Sequence, residues 1–219
     1  MPQKYKPERR NYAFEIRTAE TERGHIITGR PIVYNSRTDI GPFDEIIEPG
    51  ALDNTDLTDI RFLVNHNTDM IPMARSRRNN ERSTMHLTPV EEGLDIDWIQ
   101  LDVENNVDAR ALYSAVDRGD ISGMSFMFLI KPGGERWADL DTDHPTRYIT
   151  AFEKVFEISA VTWPAYEATE IYARSKDALE SARSALERAR QQRNAGAPEG
   201  ADVLSLLKEK TRTIIITGG

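Results

Sequence analysis

Apolar and polar residues alternate with a period of two along much of this chain, and strands are what that pattern predicts. Tyr12-Ala13-Phe14-Glu15-Ile16-Arg17 reads as a strand with one wet face. Thr21-Glu22-Arg23-Gly24 is turn chemistry leading into a second strand over residues 25–34, so a hairpin is expected. Gly29 and Pro31 inside that second strand predict a bulge or a sheet edge. A short strand from residue 45 turns through Pro49-Gly50, and residues 83–87 and 94–99 read as another hairpin around Glu91-Glu92-Gly93. In its second arm Leu94, Ile96 and Trp98 alternate with Asp95 and Asp97, which predicts one buried face.

Three further runs are apolar for most of their length and each carries one polar residue of interest. Arg61-Phe62-Leu63-Val64-Asn65-His66-Asn67 reads as a buried strand that delivers His66 to its C-terminal end. Residues 121–128 carry Ser125 between Met124 and Phe126, and residues 154–161 carry Glu157 between Phe156 and Ile158. A helix is expected over 104–118, where Val107, Ala111, Leu112, Ala115 and Val116 share one face and Gly119 ends it. The polar stretch 132–145 reads as a loop, long for a compact domain, and residues 147–152 as one more strand.

The ends differ from the middle. Residues 1–11 are polar and contain proline, the composition of a disordered arm. Past Arg174, Ser175 is a good helix cap, and Leu179, Ala182, Leu186 and Ala189 follow at heptad-like spacing. They predict one basic amphipathic helix over 174–193, with a linker at 195–200 and two apolar pieces beyond it. The expected architecture is mostly β with a few helices (α+β): a largely antiparallel, barrel-like body of seven to nine strands over residues 12–173. The tail at 174–219 is helix and linker.

Charge and composition narrow the function classes. Residues 1–10 and 174–193 are each net +3 and residues 194–219 are neutral, so residues 11–173 carry −14 of a total of −8. An acidic body repels phosphate backbones, which argues against nucleic acid as a partner. There are no cysteines among the 219 residues, so disulfides and thiolate chemistry are excluded. No apolar run is long enough to span a membrane and the first ten residues lack a signal peptide's apolar segment, so a soluble, intracellular protein is expected. His25, His66, His86 and His144 show no metal-ligand spacing, and no glycine-rich phosphate loop is present, so no metal or other cofactor is expected.

Acyl transfer remains. A serine hydroxyl needs a base to take its proton, a histidine is the usual base, and an acid behind the histidine fixes its tautomer. His66, Ser125 and Glu157 are the right residue types in unusually apolar settings. Their spacing alone does not assemble them: they are either a catalytic set or three unrelated polar residues in a β-rich core.

A resemblance bears on that choice. The ordered set Gly29-x-x-x-x-Tyr34-x-Ser36, Glu48-Pro49-Gly50-Ala51-Leu52, Val64-Asn65-His66-Asn67, Gly93-Leu94, Gly119-x-Ile121-x-Gly123-Met124-Ser125-Phe126-x-Phe128 and Phe156-Glu157-Ile158-Ser159-x-Val161-x-x-Pro164-Ala165-Tyr166 resembles the prohead (procapsid) maturation proteases of tailed bacteriophages, distant relatives of herpesvirus assemblin. The resemblance implies a serine endopeptidase of assemblin-type fold, with His66 as general base, Ser125 as nucleophile and Glu157 as third member, preferred over Glu153, Asp141 and Asp143. Acyl transfer also needs backbone amides that bind the oxyanion, and the turn just after the Glu157 strand, at Ala165 and Tyr166, is the candidate to supply one. The resemblance implies as substrates the scaffolding segment of the major capsid protein and the protease's own tail. Self-association, and action inside the assembling procapsid in the host cytoplasm, are implied by the same likeness. The tail helix would tether the enzyme to capsid components. Three positions depart from the family pattern: Asn67 for Asp, Ala74 for Gly, and Met127 for a Gly whose replacement crowds any close backbone approach. Two other readings stand beside this one: a noncatalytic assembly protein that keeps the protease fold, and an unrelated β-barrel binding module.

Overall fold

The structure, a computed structural model, describes residues 6–12, 16–162 and 176–196. In chain order its strands are Glu8–Tyr12 (β1), Ile16–Thr21 (β2), Gly24–Val33 (β3), Arg37–Asp39 (β4), Asp44–Ile47 (β5), Arg61–Val64 (β6) and Ala74–Arg75 (β7). Next come Met85–Val90 (β8), Gly93–Gln100 (β9), Gly123–Ile130 (β10), Glu135–Ala138 (β11), Thr146–Ile149 (β12) and Phe152–Val161 (β13). Two α-helices, Val107–Asp117 (α1) and Lys176–Gly196 (α2), complete the described chain.

The strands form three sheets, in the orders β1-β10-β13-β6-β7, β11-β12-β5-β4 and β2-β3-β9-β8. The mostly-β expectation with few helices holds, but none of the sheets closes into a barrel. Two pairings are parallel, β5 with β12 and β6 with β13. Each joins strands separated by nearly a hundred residues, a distance over which local alternation carries no pairing information. The predicted bulge in the second strand is present as register shifts between β3 and β9 around Gly29. The turn of the β8–β9 hairpin requires its glycine: a Cβ on Gly93 would stand 1.9 Å from the Ile32 carbonyl oxygen, and its φ is 151°. The helix expected over 104–118 runs from 107 to 117, opened by Asn106, whose side-chain oxygen accepts from the amides of Asp108 and Ala109.

One continuous apolar core joins the sheets, with Phe62, Phe126, Phe128, Phe152 and Ile158 from the first, Ile27, Leu94, Ile96 and Ile99 from the third, and Leu112 and Val116 from α1. A second, smaller cluster seats α2, whose Ala182 and Leu186 pack on Ile40 and Phe43 beside Trp137 and Leu140. The amphipathic stripe of the predicted tail helix is therefore buried against its own chain. The long loop expected at 132–145 contains β11, which pairs with β12.

Residues 8–11, expected to belong to a disordered arm, are strand: β1 pairs antiparallel with β10, setting Asn11 across from Ser125. The cause is a buried ion cluster that composition conceals. Arg147 is fully buried and bonds Glu8 twice (2.7 and 3.0 Å), Glu45 (3.0 Å) and Glu135 (2.7 Å). Burial alone would lower the Arg147 pKa, but Glu8, Glu45 and Glu135 outweigh it and hold the guanidinium firmly charged. Arg188 of α2 lies 3.7 Å from Glu8, so the cluster ties the first strand, the second sheet and the last described helix together.

Candidate active site

The first sheet brings the three candidate side chains together by register. On β10 the rings of Phe126 and Phe128 turn into the core, where they meet Phe152 at centroid distances of 6.0 and 5.0 Å. Strand alternation then sends Ser125 and Met127 to the opposite face. Ser125 stands opposite Ser159 of β13, which stands opposite Leu63 of β6, and Met127 stands opposite Glu157. Serine and acid thus lie two rungs apart on one face, beside the strand leading to the histidine.

The expected strand over 61–67 ends at Val64, where the chain enters a tight turn instead of continuing as strand. Asn67 N donates to the Val64 carbonyl at 3.0 Å, and Asn65 and His66 both have positive φ, 51° and 57°. That is the pattern of a type I′ turn, whose central positions favour Asn and Gly. Asn65 suits its place, and its side chain is fixed by Thr162: its amide donates to Thr162 Oγ1 and its oxygen accepts from Thr162 N, each at 3.0 Å. His66 sits where glycine is usual, a conformation costing about 1–2 kcal/mol for an L-residue. Its bonds offset that cost, beginning with its own N–H, which donates to Ser159 Oγ at 3.1 Å.

The turn lays the imidazole between acid and serine. His66 Nδ1 is 2.5 Å from Glu157 Oε1, and His66 Nε2 is 2.6 Å from Ser125 Oγ. Ser159 Oγ donates to the other carboxylate oxygen, Oε2, at 2.6 Å. A carboxylate only accepts hydrogen bonds, so Nδ1 carries the ring proton and Nε2 offers its lone pair to the Ser125 hydroxyl. Both Glu157 oxygens are satisfied, as a buried carboxylate requires. Ser125 and Glu157 are buried and the His66 side chain is 10% exposed.

All three side chains singled out as a catalytic set are therefore in one hydrogen-bonded line. The competing acids lie elsewhere: Asp141 pairs with Arg193 at 3.3 Å, while Glu153 and Asp143 face solvent. The other histidines have separate settings, His25 edge-on to Tyr113, His86 on Asp97 and His144 on Asp44. His144 approaches Asp39 and Asp44 closely enough to share an ion. That group is on the surface, however, and Asp44 already pairs with Arg37 at 3.0 Å. Ala165 and Tyr166, expected to supply oxyanion amides, lie outside the described residues.

Reading the sequence missed Ser159 and the Asn65–Thr162 clamp. The signal for Ser159 was its position two residues after Glu157, on the same face of one strand. Replacing it by alanine leaves the Glu157 Oε2 and His66 N–H without that partner. Ser159→Ala is expected to cost about 1–3 kcal/mol in a urea melt and to lower kcat by up to roughly 100-fold through misplacement of the imidazole.

No curated protein and no solved structure matches the chain. The sequence model of the caudovirus prohead serine protease family does match, over residues 12–183. That span takes in every strand after β1, the turn bearing His66, and the strands bearing Ser125 and Glu157. With most of its length so matched, the chain belongs to the caudovirus prohead serine protease family.

Proposed function

We propose that this protein is a serine endopeptidase of capsid maturation, in which Ser125 is the nucleophile, His66 the general base and Glu157 the residue that orients His66. The observation that carries the reading is the unbroken line from Glu157 through both nitrogens of His66 to the Ser125 hydroxyl. Ser125 Oγ attacks the scissile carbonyl carbon as its proton passes to His66 Nε2. Glu157 stabilises the imidazolium, which then protonates the leaving amine as the C–N bond breaks. Water, activated by the same imidazole, releases the acyl group and restores the serine. Backbone amides must bind the oxyanion, and those of Ala165 and Tyr166, just after the Glu157 strand in sequence, are the proposed source. The chemistry runs on these side chains and needs no metal.

The proposed substrates are the scaffolding segment of the major capsid protein and the enzyme's own tail, cut inside the assembling procapsid within the host cytoplasm, where the protease self-associates. Ser125 is buried, so a scissile carbonyl reaches it only as the site opens.

The test is co-expression with the capsid protein followed by mass spectrometry of both chains. Trimming by the parent and none by Ser125→Ala is the expected result. Equal trimming by both would overturn the assignment, and trimming by neither would favour a noncatalytic assembly role.

A further inference from the structure

Beside the buried trio, on the outer face of the first sheet, lies an open recess of about 380 Å³. Leu63, Met70, Pro72, Met127 and Phe156 line it, and Glu157 contributes to its wall. It adjoins the site by construction: Met127 is two residues past Ser125 on the same face of β10, and Leu63 neighbours Ser159 in the sheet. We infer that this recess is the subsite that takes an apolar side chain of the polypeptide being cut, with Met70 and Met127 as its adjustable walls. The inference rests on the protease reading and extends it to substrate choice.

Three observations support an apolar occupant. First, the carboxylate in the wall is already engaged at both oxygens, Oε1 by His66 and Oε2 by Ser159, which weakens its pull on a cation. Second, of the two other polar residues on the lining, Thr68 is uncharged and Arg61 is half exposed with its guanidinium 3.8 Å from Asp59, so most of the wall is carbon and sulfur. Methionine pairs suit such a role, because an unbranched, polarisable side chain refits around different apolar partners.

Third, the fold leaves apolar surface here that it has not used. The large hydrophobic residues exposed among those described are Met70 at 39%, Ile71 at 80% and Val107 at 72%. Met70 lines the recess and also a second, apolar groove of about 370 Å³ on the other side of the loop after His66. Ile71 is its neighbour in that loop, and Val107 precedes Asp108, which lines the second groove. Exposed apolar residues gathered at one place mark a binding surface, and this one borders the histidine turn on both sides. Met127, which replaces the family's glycine, is thus a wall of the subsite and sets its depth.

Cleavage of a proteome-derived peptide library by the full chain, with the cut bonds read by mass spectrometry, tests the inference. The parent is expected to favour Leu, Ile, Val, Met or Phe at one fixed position relative to the cut, by roughly tenfold over polar residues. Met70→Glu, a change at an exposed position, is expected to move that preference to Lys and Arg. An unchanged preference in Met70→Glu, or cutting by the parent with no apolar preference, would overturn the subsite while leaving the protease reading intact. A chain that cuts no peptide and whose Ser125 is not labelled by a fluorophosphonate overturns the protease reading, and the subsite with it.

Discussion

His66→Ala and Ser125→Ala are each expected to lower kcat on capsid protein by on the order of 10⁴–10⁶, and the double variant by no more than the worse single one. The reason is that the two groups act in one step. Without the imidazole nothing takes the hydroxyl proton, and without the hydroxyl the imidazole has no proton to take. Nε2 and Oγ lie 2.6 Å apart, so neither group has independent work to lose. Glu157→Gln is milder, at roughly 10⁴, because the amide leaves the imidazole in place but can bind it in the wrong tautomer. Initial rates for the four variants against the parent check the pattern. Additive losses would mean that His66 and Ser125 contribute separately.

The largest loss of stability is expected at Arg147. A buried ion pair adds little by being present, yet breaking one by removing a single partner costs about 3–5 kcal/mol. Arg147→Met leaves Glu8 and Glu45 buried without the guanidinium that both of them bond. That is a large part of the roughly 5–15 kcal/mol that holds a typical domain together, and it should appear as a matching fall in unfolding free energy by urea denaturation. The damage has a direction. Glu8 anchors β1, and β1 covers the edge of the Ser125 strand, so Glu8→Gln should lose hydrogen-exchange protection first along β1 and β10. Uniform loss across all three sheets would contradict this path.

How much of the fold and site is legible in the sequence depends on the range of each signal. Period-two alternation locates β9, because one buried and one wet face write themselves into neighbouring residues, and mostly apolar runs locate β6, β10 and β13. The helix at Val107–Asp117 is equally legible, since its apolar face repeats every turn. The features that stay hidden are long-range. Nothing near Glu8 announces a buried arginine 139 residues away, so β1 reads as a polar arm. Nothing in Ala182 and Leu186 says that they meet Ile40 and Phe43 rather than a partner. The candidate site is half legible. The residue types of His66, Ser125 and Glu157 point to acyl transfer, and likeness to a family raises them above coincidence. Their convergence depends on the parallel pairing of β6 with β13 and on a type I′ turn with histidine in glycine's usual place. Neither has a local signature. Ser159 escapes because a serine two positions from a glutamate is ordinary until both are known to face a histidine.

The central claim is that His66 makes Ser125 the one activated serine of this chain. A fluorophosphonate tests it directly: an activated oxygen attacks phosphorus, fluoride leaves, and the serine proton goes to the histidine. Peptide mapping of the labelled protein should find the phosphonate on Ser125 alone, with labelling slowed on the order of 10³-fold or more in His66→Ala. A label carried by another residue, or Ser125 labelled at the same rate with and without His66, would contradict it.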